Sequence, residues 1–288
     1  MHPRRTPIAA AIAIASVTAA HAGGSAHFMP MPSERASIAA PAAGTALNYY
    51  GGGVISNPRV VSVMWGSGVN TKIRSAIPRF SSALVNSTFV DQMAEYGTFL
   101  TAVDGRPGTQ QTIGRGTYFG QVMISPQNTA RKITDADVQA ELQRQIAAGV
   151  LPKQDPDTLY MVYFPASVTI NYPGVGRSCV SFGAYHGSVS AMPSADNILY
   201  SVEPDCRSGL SNITYAASHE FAEAVTDAIP TPGTHPAYPQ AWNTSDGYEA
   251  ADLCSTGGTL TAGSRSWSVT QIFRNSTGAC SVGNYTSP

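Results

Sequence analysis

Charge is what this chain of 288 residues has least of: Asp, Glu, Lys and Arg make up 12% of it, about half the usual share. The balance is −1 with no basic block, which excludes the electrostatic footprint of a nucleic-acid binder or of a protein drawn to anionic membrane. No apolar run is long enough to stay in a bilayer as an anchor, and no internal repeat or coiled-coil period appears. There is no C-x-x-C spacing, so a cysteine zinc site is excluded. A G-x-S-x-G elbow, a Walker loop and a dinucleotide fingerprint are missing as well. Cysteine itself is scarce, with four in the chain.

What is present is loop-rich and long enough for one large core, with 27 Gly and 20 Pro. Residues 1–22 carry an arginine pair, Arg4 and Arg5, then a small-residue apolar run ending in Ala20-His21-Ala22. This is the pattern of a cleaved signal peptide and implies a secreted or periplasmic protein without a membrane anchor. Residues 23–47 are rich in Ala, Pro, Ser and Gly and are expected to be a linker or short pro-segment. The folded domain is expected over 48–288. In an oxidising compartment Cys179, Cys206, Cys254 and Cys280 imply two disulfides with three possible connectivities. The pairs closest in sequence, 179–206 and 254–280, are favoured.

Strands are expected over residues 59–65, 117–125, 157–165, 180–186 and 198–202, from β-branched and aromatic content. Residues 73–88 carry apolar positions at helical spacing, 89–100 continue them, and Thr134-x-x-Asp137 opens a further helix with a capping-box-like start. Residues 230–240, with four prolines, must be loop. One or two strands are expected between 259 and 282. Strands leading and helix following argue for an α+β fold with a mixed or antiparallel sheet.

The chemistry gathers in residues 214–228. At helical pitch His219 and Glu223 leave the same face, with Glu220 beside them and Asp227 a turn beyond Glu223. Phe221, Val225 and Ala228 fall opposite, so a half-buried amphipathic helix is expected. An imidazole and a carboxylate at i, i+4 can grip one divalent ion, and Glu220 can act as base toward a bound water. Downstream, Glu249 and Asp252 compete for the third ligand position, the other being free to orient His219. His186, in Tyr185-His186-Gly187, stays open between ligand, transition-state donor and strand-end residue. Asp227 is expected to cap or orient the end of the helix. An amphipathic helix with no ion, or a glycosidase carboxylate pair, are the competing readings. Trp65, Trp242 and Trp267 are expected in packing rather than in sugar stacking.

Two resemblances attach to these residues. His219-Glu-Phe-Ala-Glu-Ala-Val-Thr-Asp227 resembles the zinc helix of thermolysin-type metallopeptidases, which read H-E-x-x-H-A-V-T-D. It implies a zincin-like domain organised on a metal-site helix, one divalent ion, zinc, on His219, Glu223 and Glu249, Glu220 as catalytic base, and a peptide or protein substrate. Glu223 stands where that family has a second histidine, and Glu249-x-x-Asp252 is one residue shorter than its counterpart. More broadly, Tyr50-Gly-Gly-Gly-Val-Ile-Ser-Asn-Pro58, Ala184-Tyr-His-Gly187, the 218–227 helix and Trp242 with Glu249-x-x-Asp-Leu-Cys254 resemble the bacterial branch of the secreted Exordium-like, or phosphate-induced, proteins. That resemblance implies an extracellular protein and equally allows a non-catalytic one in which the motif is structural.

Overall fold

The computed structural model describes residues 25–31, 41–230 and 235–283; the expected signal peptide lies outside them. The core is a six-stranded sheet built from β1 (Ser25–Met29), β2 (Arg59–Trp65), β3 (Thr117–Ile124), β4 (Thr158–Phe164), β5 (Ala184–Ser188) and β6 (Leu199–Pro204), in the order β1-β5-β6-β4-β2-β3. Strands β6, β4, β2 and β3 are mutually parallel, while β5 runs antiparallel to both of its neighbours, β6 and β1. The sheet is therefore mixed and the fold α+β.

Both faces of the sheet are covered. Helix α1 (Thr71–Val85) follows β2 and packs Ile73, Ile77 and Phe80 on one face, together with Val60, Met64 and Met161. After β3 comes the helix Asp135–Ala147, which packs Val138 and Leu142 on the other face with Val61, Val63 and Val162. Alternate residues of each strand thus enter different cores, and all seven residues of β4 are buried, as expected for parallel strands covered on both sides. The capping box is present, with the Thr134 hydroxyl accepting from the Asp137 amide and the Asp137 carboxylate accepting from the Thr134 amide. The apolar stretch 89–100 does not make one helix. It makes a single turn at Thr88–Asp91 and a 3-10 segment at Gln92–Tyr96.

Three other elements differ from the sequence pattern. Ser25–Met29, within the stretch expected to be linker or pro-segment, is an edge strand of the main sheet. The strand expected from residue 180 begins at Ala184, because Cys179 occupies a positive-φ position and residues 179–181 form a turn. The metal-site helix Leu210–Thr226, here α2, is not half-buried: every residue from Ile213 to Thr226 is buried. The sheet and α1 cover one side, and the hairpin Gly257–Ala262/Arg265–Thr270 covers another. Two side-chain bonds fasten that hairpin, from the Thr270 amide to Ser218 Oγ at 2.8 Å and from Thr214 Oγ1 to the Ser268 carbonyl at 2.7 Å. A helix buried all round must satisfy its polar groups within the protein.

The carboxyl end of α2 is held by the glycine-rich segment. The Ile55 amide donates to the Val225 carbonyl at 3.0 Å, which answers one of the unpaired carbonyls that end any helix. Gly52 lies so close to the 239–240 backbone that a Cβ there would fall 1.9 Å from the Pro239 carbonyl oxygen. That approach lets the short ladder Asn48–Tyr49 with Trp242–Asn243 form beside the helix end. The disulfides are Cys179–Cys206 and Cys254–Cys280, the pairs closest in sequence. Among the described residues no helix is long and apolar enough to cross a membrane. Trp65 and Trp242 lie in the cores.

Candidate metal centre

Strand register brings the first part of the centre together. His27 on β1 is the cross-strand partner of His186 on β5, and His186 is in turn the partner of Ser201 on β6. Their immediate neighbours Ala26, Tyr185 and Val202 belong to the core on the far face, so His27, His186, Ser201 and Glu203 point to the face covered by α2. There α2 presents His219, Glu220 and Glu223, all within 1% of complete burial. The turn 250–253 supplies the rest, with Glu249 fully buried and Asp252 4% exposed. The Asp252 carboxylate also accepts from the Glu249 amide at 3.2 Å, which orients that turn.

These side chains alternate in kind around a closed circuit. His27 Nε2 lies 2.6 Å from Asp252 Oδ2, and the other oxygen of Asp252 lies 3.5 Å from His219 Nε2. His219 Nε2 is 3.0 Å from Glu223 Oε1, whose second oxygen is 3.8 Å from His186 Nδ1. His186 Nε2 is 3.6 Å from Glu249 Oε2, and Glu249 Oε1 is 3.5 Å from His27 Nδ1, where the circuit began. Glu220 joins it at His186 Nδ1, 3.4 Å away. Despite these approaches, His186 Nδ1, both His219 nitrogens, Asp252 Oδ1 and all carboxylate oxygens of Glu220, Glu223 and Glu249 are buried without a hydrogen-bond partner. Such groups are expensive to bury unless something answers them. Donor atoms that face a shared space instead of bonding one another suit a cation.

The surroundings prepare the ligands. His186 Nε2 lies 3.2 Å from the Asp227 carbonyl oxygen, which can only accept, so this nitrogen carries the proton and Nδ1 turns its lone pair toward Glu220 and Glu223. Asp227 ends α2. Its carboxylate accepts from the Ala241 amide at 2.8 Å and from Asn243 Nδ2 at 2.7 Å. Burial pushes it up to about 7, partly offset by those bonds.

The protonation balance follows from burial and crowding. Burial and the His27 charge hold His186 well below the usual imidazole range, so it is neutral and free to ligate. Burial raises Glu220 and Glu249 well above the ordinary carboxylate range, and neighbouring carboxylates add to it. Glu223 is raised by burial and by Asp252. Burial alone would lower His219, but Glu223 and Asp252 outweigh it and hold it well above its usual value. His27 is raised to about 9, its own burial being outweighed by Asp252. Asp252 is held below the usual carboxylate range, since His27 and His219 overcome its burial. In the metal-free chain the carboxylates are thus partly neutralised by protons, which a divalent ion would displace.

Of the residues singled out in sequence, His219, Glu220 and Glu223 meet as the helix spacing requires. Asp252 is the residue of the Glu249–Asp252 pair that touches His219, whereas Glu249 stands between His186 and His27. His186 is in the cluster and Asp227 supports it from outside. Sequence reasoning passed over His27, because five residues of strand in an Ala- and Pro-rich stretch carry too short a period to notice. It also passed over Glu203, which is fully buried, accepts from Ser201 Oγ at 3.0 Å and is raised to about 8 by burial. A lone glutamate inside the apolar run 198–202 and its continuation was the available signal. Beyond the end of α2, a cavity of about 360 Å³ is lined by Gly53, Leu199, Ala228, Ile229 and Tyr238 among others.

No protein-family model, curated protein or solved structure matches this chain. The buried histidine and carboxylate groups could hold a metal ion, and that statement rests on the geometry alone.

Proposed function

We propose that this chain is an exported, zincin-like, metal-dependent peptidase, zinc being the ion its helix motif implies. The observation that carries the reading is the run of buried, unpartnered donor atoms on His219, Glu223 and Asp252, with His219 Nε2 3.0 Å from Glu223 Oε1 and 3.5 Å from Asp252 Oδ1. His219 and Glu223, one turn apart on α2, would hold the ion with a carboxylate of the 249–252 turn. When bound, such an ion polarises a scissile carbonyl and acidifies a water. Glu220 would hold the proton that such a water gives up. Its pKa, raised by burial, suits a group that accepts a proton and passes it to the leaving amine. The two disulfides fit an oxidising compartment outside the cytoplasm.

Glu220→Gln tests the mechanism. It should keep the ion on His219 and Glu223 and lose hydrolysis of a peptide mixture by orders of magnitude. A Glu220→Gln protein that matches the wild type on every peptide cleaved would reject it.

One observation favours a second reading, in which the protein is a non-catalytic extracellular protein resembling the Exordium-like group. The donor residues on α2 and the 249–252 turn are at most 4% exposed, as in a structural site. A wild-type chain that binds zinc and cleaves no peptide would decide for it.

A further inference from the structure

We propose that the centre takes two divalent cations side by side, bridged by Glu223, with His27 of the amino-terminal strand a ligand of one and His186 a ligand of the other. The inference rests on the metal-site reading above and is independent of peptidase activity.

Three observations carry it. First, the donors fall into two sets: His27, Glu223 and Asp252 form one, and His186, Glu220 and Glu223 form the other. Within each set the ligand atoms lie within 4.8 Å of one another, and among the described residues no set contains both His27 and His186. The rings of those two histidines are 6.0 Å apart. One ion holds its ligands at about 2.0–2.2 Å, so opposed donors are separated by no more than about 4.4 Å. Two donor sets that share only Glu223 suit a pair of ions, which in two-metal sites is separated by about 3.5–4 Å.

Second, Glu223 is shaped as a bridge. Its Oε1 faces His219 at 3.0 Å and its Oε2 faces His186 at 3.8 Å, and neither oxygen has a hydrogen bond. His219 stands beside the set headed by His27, its Nε2 3.0 Å from Glu223 Oε1 and 3.5 Å from Asp252 Oδ1. Glu220 completes the set headed by His186 through Oε2, which leaves Oε1 to receive a proton.

Third, the charge closes. Glu220, Glu223, Glu249 and Asp252 bring four potential negative charges into a space with almost no access to water, and imidazoles that give up their protons to bind metal offset none of them. One divalent ion would leave two of these carboxylates to be neutralised by protons, whereas two ions can neutralise all four. A lone ion among so many carboxylates would also be a weak acidifier of water, and a second restores that power.

Metal-free protein reloaded with zinc, freed of loose ions by gel filtration and weighed by native mass spectrometry, should carry two zinc ions per chain. Loaded instead with Mn(II), it should give the electron paramagnetic resonance spectrum of a magnetically coupled pair. His27→Ala and His186→Ala should each fall to one ion and lose the coupling. The wild-type count and spectrum need no variant, so a misfolded mutant does not weaken the test. Saturation at one zinc, or an uncoupled Mn(II) spectrum, overturns the pair. If that single-zinc protein still cleaves peptides, the peptidase reading survives it. A wild-type chain that binds no metal overturns both.

Discussion

Stripping divalent metal from the folded protein should destabilise it and loosen one edge of the sheet before the rest. The candidate ligand atoms come from four separate parts of the chain: β1, β5, α2 and the 249–252 turn. An ion bound only by the folded state adds about 2.7 kcal/mol when free metal is a hundredfold above Kd. For a domain of this size each kcal/mol moves Tm by about 2–4 °C. Zinc at that excess should therefore raise Tm by about 5–11 °C over a chelated sample, and by more if a second ion binds. The loosening should be local. β1 pairs with β5 and with no other strand of the main sheet, and His27 ties it to the cluster through the 2.6 Å contact with Asp252. β2 and β4 have neighbours on both edges and apolar cores on both faces. Calorimetry with zinc and with chelator gives the first quantity, and amide hydrogen exchange read by mass spectrometry gives the second. Exchange in 25–29 and 249–254 should accelerate on chelation while 59–65 and 158–164 stay protected. An unchanged Tm, with the same exchange in 25–29, would show that the buried donors are satisfied without an ion and would refute the reasoning.

Replacing Cys179 and Cys206 by serine opens a loop of sequence separation 27, which on chain-entropy grounds should cost about 3.5 kcal/mol. Urea unfolding measures it, and an unchanged midpoint would count against that account. Phe221→Ala removes a ring with no exposed surface from the apolar core around α2 and should cost about 3–5 kcal/mol by the same assay. Asp135 is raised above its ordinary 3.8 by burial, which hydrogen bonds from Tyr185, Tyr200 and Gln139 only partly offset. The folded state then holds this proton more tightly than the unfolded chain, so its contribution is full below the ordinary range and is lost as pH rises through the raised value. Asp135→Asn can still accept from both tyrosines and does not titrate, so it should gain on the wild type as pH rises above the ordinary carboxylate range; a difference that stays constant with pH would reject the assignment.

The amino-acid sequence by itself determined whatever is set by near neighbours. The i, i+4 spacing of His219 and Glu223 is a property of any α-helix, and Thr134 with Asp137 closes its capping box within one turn. Each disulfide joins cysteines fewer than thirty residues apart, so local pairing was legible. The apolar runs of β2 and β4 declared themselves through β-branched and aromatic content. Only the tertiary structure decided that the polar face of α2 is buried, because it is turned onto β1 and β5 and closed by the 249–252 turn. It alone set His27 opposite His186, since pairing register belongs to the assembled sheet and a slip of one residue would turn both imidazoles to the other face. It also chose Asp252 over Glu249 as the neighbour of His219. Both carboxylates lie in one short turn whose aim is set by its packing, and no spacing rule could separate them.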